Sequence, residues 1–193
     1  MVRPPQIGTP AAQDRLAIEH YGNLPAVLLP YDPHAPEVAE RVSRLIVDFS
    51  PQLSVEHIGS TSIPGAAGKG VIDLMVLYPD GGLAGARDTL AALGFQRQTT
   101  RDPFPEDRPM RTGAITHRGV RYLLHAHVLP RSGDESNQLR AFRDRLRSDP
   151  EELARYVAFK RDILARGIVD TVAYAEAKGA FFPADKTPTS AQS

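Results

Sequence analysis

A short apolar run, Val71 to Leu77, reads VIDLMVL and constrains the fold of this chain more than any other segment. The run is rich in β-branched and other apolar side chains with almost no polar interruption, which is typical of a strand covered on both faces. Such a strand needs further layers of structure above and below it. The run therefore predicts a layered domain in which one carboxylate, that of Asp73, lies inside a buried strand.

The segments around this run predict the other layers. The sequence APEVAERVSRLIVDF, residues 35–49, has apolar side chains at helical spacing, and LSVEHI, residues 53–58, alternates like a strand. Further elements are predicted in this order: a helix over 82–94, two strands near 113–117 and 120–129 joined by a tight turn, and helices over 136–149, 150–167 and 170–182. This order predicts an α/β or α+β domain with a mixed β-sheet, flanking helices and a helical C-terminal third.

The length of 193 residues favours one domain, which we predict over residues 16–183. Residues 1–15 and 184–193 are rich in Pro, Thr and Ser with little to bury, and they are predicted to be mobile tails. No apolar run reaches the roughly 18 residues of a membrane span, and no secretory leader is recognisable. A soluble cytoplasmic protein with no membrane partner is therefore expected.

The composition limits the kinds of binding site that this chain can form. Lys plus Arg and Asp plus Glu both total 23, so the overall charge argues against tight nonspecific binding of nucleic acid. The chain has no Cys, so a metal site must use His, Asp, Glu or backbone oxygen. Any anion or metal site must therefore arise from a local arrangement of these residues.

A loop rich in Gly and Ser, HIGSTSIPGAAGKG, leads from the first predicted strand to the second. Gly59 lets the backbone approach a ligand, and the hydroxyls of Ser60 and Thr61 with nearby N–H groups can hold phosphate oxygens. Lys69 offers an ammonium group to the same phosphates, with an uninvolved loop lysine as the equal alternative. Asp73 would lie beside the loop and hold a divalent cation, or else accept hydrogen bonds from backbone donors that compensate its burial.

A Gly-Ser pair followed by a strand aspartate resembles the signature of the nucleotidyltransferase superfamily, in which carboxylates at i and i+2 of one strand bind two metal ions. Position i+2 is Met75 here. Side chains two apart on a strand face the same way, and a thioether does not bind Mg²⁺. The two-metal site, as that superfamily builds it, is therefore absent.

Five motifs, in this order, resemble the GrpB family: LLPYDPHAPEVAE, EHIGSTSIPGAAGKGVIDLMV, HAHV, LRAFRDRLRSDPEELARYVAFKR and YAEAKGAFF. The resemblance spans most of the chain and implies a nucleotidyltransferase-like fold. The family usually has an apolar residue at the position of Met75, and commonly has Ala-Lys-Pro where this chain has Gly68-Lys69-Gly70. Its members occur alone and fused behind dephospho-coenzyme A kinase in some bacteria. The resemblance implies a fold strongly and a reaction only weakly, because a fold does not fix its chemistry.

Two histidines offer another way to complete a metal site. His125 and His127 are two apart in a predicted strand, so both rings point to the same face. If Asp73 shares that face, the three residues form an open site suited to Zn²⁺, Mn²⁺ or Fe²⁺, with His57 as a further candidate. The structural alternative is that both histidines are hydrogen-bonded residues at the end of a sheet.

Basic residues of the predicted C-terminal helices are the last candidates. Arg140, Arg143 and Arg147 form one stripe of a helix, opposite an apolar stripe. Guanidinium groups pair bidentately with phosphate, so Arg143 is a candidate substrate-binding residue, with a solvated charge as the equal alternative. For Arg140 and Arg147 a solvated face with Asp144 and Glu residues as local partners is favoured. Lys160 and Lys178 are predicted to pack their stems along the surface.

Two hypotheses of function remain. The first is an enzyme that handles a nucleoside triphosphate and transfers a nucleotidyl group with Mg²⁺ or Mn²⁺, or alternatively Zn²⁺. Its predicted residues are Asp73, His125 and His127 for catalysis and metal binding, and Gly59, Ser60, Thr61, Lys69 and Arg143 for the substrate. The second is a non-catalytic module of the same fold that binds a nucleotide, a coenzyme A-like ligand or a protein partner. Met75 favours the second hypothesis, and the Asp and His set favours the first.

Overall fold

In the computed structural model of the protein, the structure describes residues 18–22 and 25–181. The tails predicted over 1–15 and 184–193 lie outside the described residues. Five strands form one sheet in the order β1-β2-β5-β4-β3. Their bounds are Ser54–Ile58 for β1, Val71–Tyr78 for β2, Gln96–Arg97 for β3, Met110–His117 for β4 and Val120–Pro130 for β5.

The described part of the chain also contains five α-helices and a short 3-10 turn over Ser60–Ser62. They are α1 Ala35–Phe49, α2 Leu83–Ala92, α3 Asp134–Ser148, α4 Pro150–Ala165 and α5 Thr171–Gly179. The predicted mixed sheet with flanking helices and a helical C-terminal third is therefore confirmed. The two-residue strand β3 and the 3-10 turn were not predicted from the sequence.

Capping side chains explain where the last two helices begin. Asp149 accepts a hydrogen bond from the backbone N–H of Glu152, and Pro150 occupies the first turn, where a missing N–H costs nothing. Asp170 accepts from the backbone N–H groups of Val172 and Ala173 at the start of α5. These caps explain why α4 begins at Pro150 and α5 at Thr171.

The pairing of the strands decides which side chains meet. β2 pairs with β5 in parallel, while β1 pairs with β2 and β4 pairs with β5 in antiparallel fashion. In the parallel pair Asp73 lies opposite His125, and Met75 lies opposite His127. Because side chains alternate along a strand, all four project from the same face of the sheet.

The opposite face carries the main core. The even-numbered side chains of β2 and β5 pack there against α1 and α2; they are Ile72, Leu74, Val76, Leu124, Ala126 and Val128. On the face of Asp73 a smaller cluster buries Met75 with Ile58, Leu77 and Leu129, and Leu139 of α3 covers it. The strand that contains Asp73 is thus covered on both faces, as its apolar run predicted.

The arginine stripe of α3 faces β1 and the loop that follows it. Arg140 pairs with Glu56 of β1 at 2.8 Å, and Arg143 reaches the other oxygen of Glu56 at 3.3 Å. Arg147 donates to the backbone oxygen of Ser62 at 2.7 Å. Arg147 also keeps 41 % of its side-chain surface exposed and lies 3.7 Å from Asp144 one turn earlier, as the prediction of a solvated face with local acidic partners has it. For Arg140 that prediction is wrong, because its acidic partner lies on β1 and helps to anchor α3 to the sheet.

Within residues 18–22 and 25–181, no helix has both the length and the apolar character that crossing a bilayer requires.

Candidate functional site

A cavity of about 390 Å³ lies over the polar face of the sheet, between the strands and the C-terminal helices. The sheet contributes Asp73, His125 and His127 to its wall, and the loop after β1 contributes Gly59 and Ser60. Side chains of α3, α4 and α5 and a segment that precedes β4 complete the enclosure. The cavity therefore brings together residues from distant parts of the sequence.

Asp73, His125 and His127 form a compact triad in this cavity. Nδ1 of His125 lies 3.3 Å from Oδ1 of Asp73, and Nε2 of His127 lies 3.7 Å from the same oxygen. One nitrogen or oxygen of each residue lies within 4.8 Å of the corresponding atoms of the other two. The side chains retain 25, 17 and 19 % of their accessible surface, so the triad is open to a ligand.

The environment sets the charge of the triad. Burial alone would raise the pKa of Asp73, but hydrogen bonds and charge interactions with His125 and His127 hold it well below its usual range. Burial lowers the pKa of His125, and the Asp73 carboxylate only partly opposes this effect. A carboxylate beside a neutral imidazole is the protonation state in which both groups can bind a metal ion.

The spacing of the triad fits a single metal ion. Two ligand atoms that are each about 2.1 Å from a tetrahedral ion lie about 3.4 Å from one another. The 3.3 and 3.7 Å separations from Oδ1 of Asp73 are close to this distance, and all three ligand atoms lie within 4.8 Å of one another. Two imidazoles and one carboxylate suit Mn²⁺, Fe²⁺ or Zn²⁺ better than Mg²⁺, which prefers oxygen ligands.

Aromatic side chains hold both imidazole rings. Tyr21 stacks on His125, with ring centroids 6.4 Å apart and planes at 17°. Phe104 meets His127 edge-on, with centroids 5.7 Å apart. Sequence reasoning missed both aromatic residues, because each lies far from its histidine along the chain and no local pattern connects them.

The loop after β1 packs its backbone directly on the Asp73 carboxylate. Gly59 has φ 69° and ψ −176°, a conformation open essentially only to glycine. A Cβ at this position would lie 2.9 Å from both Cβ and Cγ of Asp73, and closer still to Oδ2. Gly59 is therefore required both by the backbone conformation and by the close approach of the loop to the carboxylate.

The other predicted loop residues divide into two groups. Ser60 lines the cavity next to Gly59. Thr61 is not among the described residues that line the cavity, because its hydroxyl donates to the backbone oxygen of Val71 at 3.2 Å and accepts from His57 Nε2 at 2.9 Å. His57 pairs with Leu74 across β1 and β2 and so projects from the face opposite Asp73. The suggestion that His57 joins the triad is wrong.

Met75 shares the face of Asp73 but does not reach the cavity. It retains none of its accessible surface, because Ile58, Leu77, Leu129 and α3 enclose it. The position where the nucleotidyltransferase superfamily has a second carboxylate is therefore sealed in an apolar cluster.

Arg143 lines the cavity, but its guanidinium group is already engaged. It donates to Asp144 at 2.8 Å, to Glu56 at 3.3 Å and to the backbone oxygen of His57 at 3.2 Å. These partners support a structural role for Arg143, and its predicted contact with substrate stays a prediction.

Three lysines line the cavity on the side of α4 and α5: Lys69, Lys160 and Lys178. Lys160 retains only 2 % of its accessible surface and donates to the backbone oxygen of Ala67. Its ammonium lies 4.3 Å from the ring centroid of Tyr156, and that of Lys69 lies 5.6 Å from the ring of Tyr174. The prediction that Lys160 packs along the surface is wrong.

A repeated sequence pattern could have identified the helical lysines. Tyr156 and Lys160 in α4, and Tyr174 and Lys178 in α5, are both Tyr-Lys pairs spaced four apart. Residues at this spacing lie on one face of a helix, so each helix presents a tyrosine and a lysine together. In the structure, the tyrosine and lysine of both helices line the same cavity.

Comparisons with known proteins agree with the motifs. The family model described as GrpB protein matches residues 25–185. A UPF0157 protein of Streptomyces coelicolor is 33% identical over 149 residues, which is 77% of this chain and 75% of that protein. A dephospho-CoA kinase of Mycolicibacterium paratuberculosis is 30% identical over 191 residues, covering 86% of this chain and 46% of the kinase. The crystal structure of conserved protein GrpB from Enterococcus faecalis aligns with a TM-score of 0.56 at 20% identity, covering 81% of this chain and 100% of that chain.

The contact between Gly59 and Asp73 predicts a large cost for a methyl group. We expect Gly59→Ala to lower the free energy of unfolding by about 3 kcal/mol, because the strained backbone and the clash act together. Gly65→Ala is the matched control, since Gly65 has φ 80° but open space around it. Its expected cost is about 1 kcal/mol. Urea unfolding measures both values, and equal costs would show that the loop does not pack on the carboxylate.

Lys160 predicts an unusual pH dependence of stability. Burial, reinforced by the charge of Lys178, lowers the pKa of Lys160 from 10.5 to about 7. Between about pH 7 and pH 10.5, Lys160 binds more protons in the unfolded chain than in the folded chain. The contribution of Lys160 to the free energy of unfolding therefore rises with pH over this range. Lys160→Met removes the effect. We expect its stability relative to wild type to fall by about 2 to 3 kcal/mol between pH 6 and pH 9.

Chemical denaturation at pH 6, 7.5 and 9 measures this difference. Arg161→Met is the control, because Arg161 is the exposed neighbour of Lys160 on the same helix. The control should keep a constant stability relative to wild type across this range. A constant difference for Lys160→Met as well would mean that Lys160 is charged in the folded protein at all three pH values.

Proposed function

The chain belongs to the GrpB family, and on that premise we propose that it binds a nucleotide, or another phosphate-bearing ligand, together with one divalent metal ion. The bound nucleotide would lie in the cavity over Asp73, and the reaction would be nucleotidyl transfer. The observation that carries the proposal is the triad of Asp73, His125 and His127 on the floor of that cavity.

The triad supports a one-metal site. Oδ1 of Asp73, Nδ1 of His125 and Nε2 of His127 would hold the ion, because these are the atoms that face one another. The two imidazole donors favour Mn²⁺ or Zn²⁺ over Mg²⁺, which narrows the choice of metals that the sequence left open. When bound, such an ion would act as a Lewis acid that polarises a phosphoryl oxygen.

The surrounding residues support a phosphate ligand. Gly59 and Ser60 line the cavity, and Gly-Ser loops can hold anions through backbone N–H groups and hydroxyls. Lys69 lines the same cavity and adds a positive charge to it. Tyr21 and Phe104 contact the imidazole rings and fix their orientation, so the triad would need little rearrangement when a ligand binds. These residues would therefore orient a phosphate ligand and compensate its negative charge in the same cavity.

One observation favours a second candidate, a binding module without catalytic activity. Two-metal nucleotidyl transfer needs a second carboxylate beside the first, and the equivalent position, Met75, is buried in an apolar cluster. Among the described residues, the triad is the only group of three or more His, Asp or Glu side chains close enough to share an ion. A module that binds a nucleotide without catalysing its reaction would use the triad in the same way, to hold the metal ion.

Metal binding is the first test. We expect calorimetry to show that wild type binds Mn²⁺ and that Asp73→Asn weakens this binding at least tenfold, since the amide keeps the shape but loses the charge. Asp102→Asn is the matched control, because Asp102 lines the same cavity outside the triad. With Mn²⁺ present, a nucleoside triphosphate at 100 times its Kd should add about 2.7 kcal/mol to the stability of wild type. Asp73→Asn should lose most of that gain, and equal behaviour of the three proteins would contradict the proposal.

Turnover separates the two candidate functions. Wild type is incubated with ATP, GTP, CTP or UTP, with each divalent metal and with an extract of candidate acceptors, and pyrophosphate release is recorded. Release that Asp73→Ala abolishes supports nucleotidyl transfer. Retained Mn²⁺ and nucleotide binding without release assigns the protein to the binding module.

A further inference from the structure

Lysine is rare in this chain, and its distribution is uneven. Only four of the 23 basic residues are lysines, and three of the four line one cavity. Lys69 comes from the loop before β2, Lys160 from α4 and Lys178 from α5. Arginine performs the structural pairing instead: Arg140, Arg143 and the other arginines account for nearly all the ion pairs of the described residues.

None of the three lysines has an acidic partner among residues 18–22 and 25–181. In the part of the chain that the structure describes, no ion pair within 4.0 Å includes a lysine. Asp102 and Glu176 also line the cavity, yet neither forms such a pair. Buried ammonium groups without a counter-ion are costly, so proteins seldom retain them unless a ligand supplies the opposite charge.

The three ammonium groups interact with one another. Burial lowers the pKa of Lys69 and of Lys160, and the charge of Lys178 lowers both further. Interaction with Tyr156 outweighs burial at Lys178 and raises its pKa. The Asp73 carboxylate raises the pKa of all three lysines, so the cluster lies within electrostatic reach of the triad. An anion placed among the lysines would relieve their mutual repulsion.

A second observation also indicates a missing polar partner. Tyr174 retains 2 % of its accessible surface and lines the cavity. Its hydroxyl is buried and has no hydrogen-bond partner among residues 18–22 and 25–181. A buried hydroxyl without a partner costs about 1 to 3 kcal/mol, which an acceptor oxygen of a ligand would recover. The ring of Tyr174 lies under Lys69, so the same acceptor group would also be near an ammonium.

The charge of the cluster indicates the class of ligand. A carboxylate carries a single charge and would leave most of the positive charge uncompensated. A di- or triphosphate carries several charges on closely spaced oxygens, and ammonium groups on flexible stems bind such oxygens as point charges. A planar carboxylate would be better matched by an arginine fork, and the arginine of this cavity, Arg143, is already occupied.

We propose that Lys69, Lys160 and Lys178 form a subsite for the phosphate chain of a di- or triphosphate, with the hydroxyl of Tyr174 as an additional donor. The subsite binds its anion without a metal ion. It deepens the proposed function, since it assigns the phosphate end of the same ligand to α4 and α5, and it rests on that function only for the identity of the whole ligand.

The test uses the full chain in EDTA, so that the metal triad contributes nothing. Inorganic tripolyphosphate is titrated into wild type, Lys160→Met, Lys178→Met and Arg161→Met in a calorimeter. We expect each lysine variant to bind at least fivefold more weakly than wild type and Arg161→Met to stay within twofold. The titrations are made at pH 6, below the pKa of about 7 at Lys160, so that its ammonium group is charged. The melting temperature of each variant is measured at the same pH, which separates a loss of binding from unfolding.

Asp73→Asn separates this proposal from the metal proposal. Loss of a nearby negative charge should leave metal-free binding of tripolyphosphate unchanged or make it tighter, while the same variant loses Mn²⁺ binding. Weaker binding of tripolyphosphate by Asp73→Asn would overturn the proposal, because it would place the anion at the triad. Absence of metal-free binding by wild type, or equal losses in the lysine variants and Arg161→Met, would overturn it as well.

A series of nucleotides in EDTA checks the class of ligand. Affinity should rise from AMP to ADP to ATP by at least tenfold over the series, and the rise should disappear in Lys178→Met. ATP that binds more tightly than tripolyphosphate identifies a nucleotide as the source of the phosphates, and equal affinity identifies a free polyphosphate. AMP that binds as tightly as ATP would show that the lysines do not hold the phosphate chain.

Discussion

The parallel pairing of β2 with β5 determines where the chemistry of this protein lies. It places Asp73 directly across from His125 and next to His127, although the two strands are far apart in the sequence. A slip of one residue in either strand would turn its polar side chains to the opposite face. The register holds because the alternate side chains of both strands, such as Leu74 and Ala126, are buried against α1 and α2. The apolar core on one face thus enforces the geometry of the polar site on the other.

The polar groups on the Asp73 face of the sheet lower the stability of the unliganded protein. They lie around a cavity, where a bound ligand would compensate them. Gly59 is held in a conformation that few residues adopt so that the loop backbone can touch the Asp73 carboxylate. Lys160 is buried without an acidic partner, and the hydroxyl of Tyr174 has no partner among the described residues. Each feature costs free energy in the unliganded protein, and a bound cation and anion would recover it. Strain and uncompensated charge that gather in one place are typical of binding sites.

The sequence predicts the local parts of this structure well. The helical spacing in α1 and the apolar run of β2 depend on residues close together in the sequence, so these elements could be predicted. Strand alternation predicts that His125 and His127 project from the same face. Their proximity to Asp73 could be predicted only as a condition, because it depends on which strands pair. The errors concern long-range contacts. Lys160 was assigned to the surface because several segments far apart in the sequence build its cavity. Arg140 was assigned to a solvated face because its partner Glu56 lies on a distant strand.

The central claim is that Asp73, His125 and His127 hold one divalent ion, and diffraction can test it most directly. Crystals of the protein soaked in MnCl₂ would be measured at the manganese absorption edge. The account predicts a strong anomalous peak within about 2.3 Å of Oδ1 of Asp73, Nδ1 of His125 and Nε2 of His127, and its absence from crystals of Asp73→Asn. A wild-type map without a peak at the triad, while manganese is bound elsewhere in the same crystal, would contradict the account.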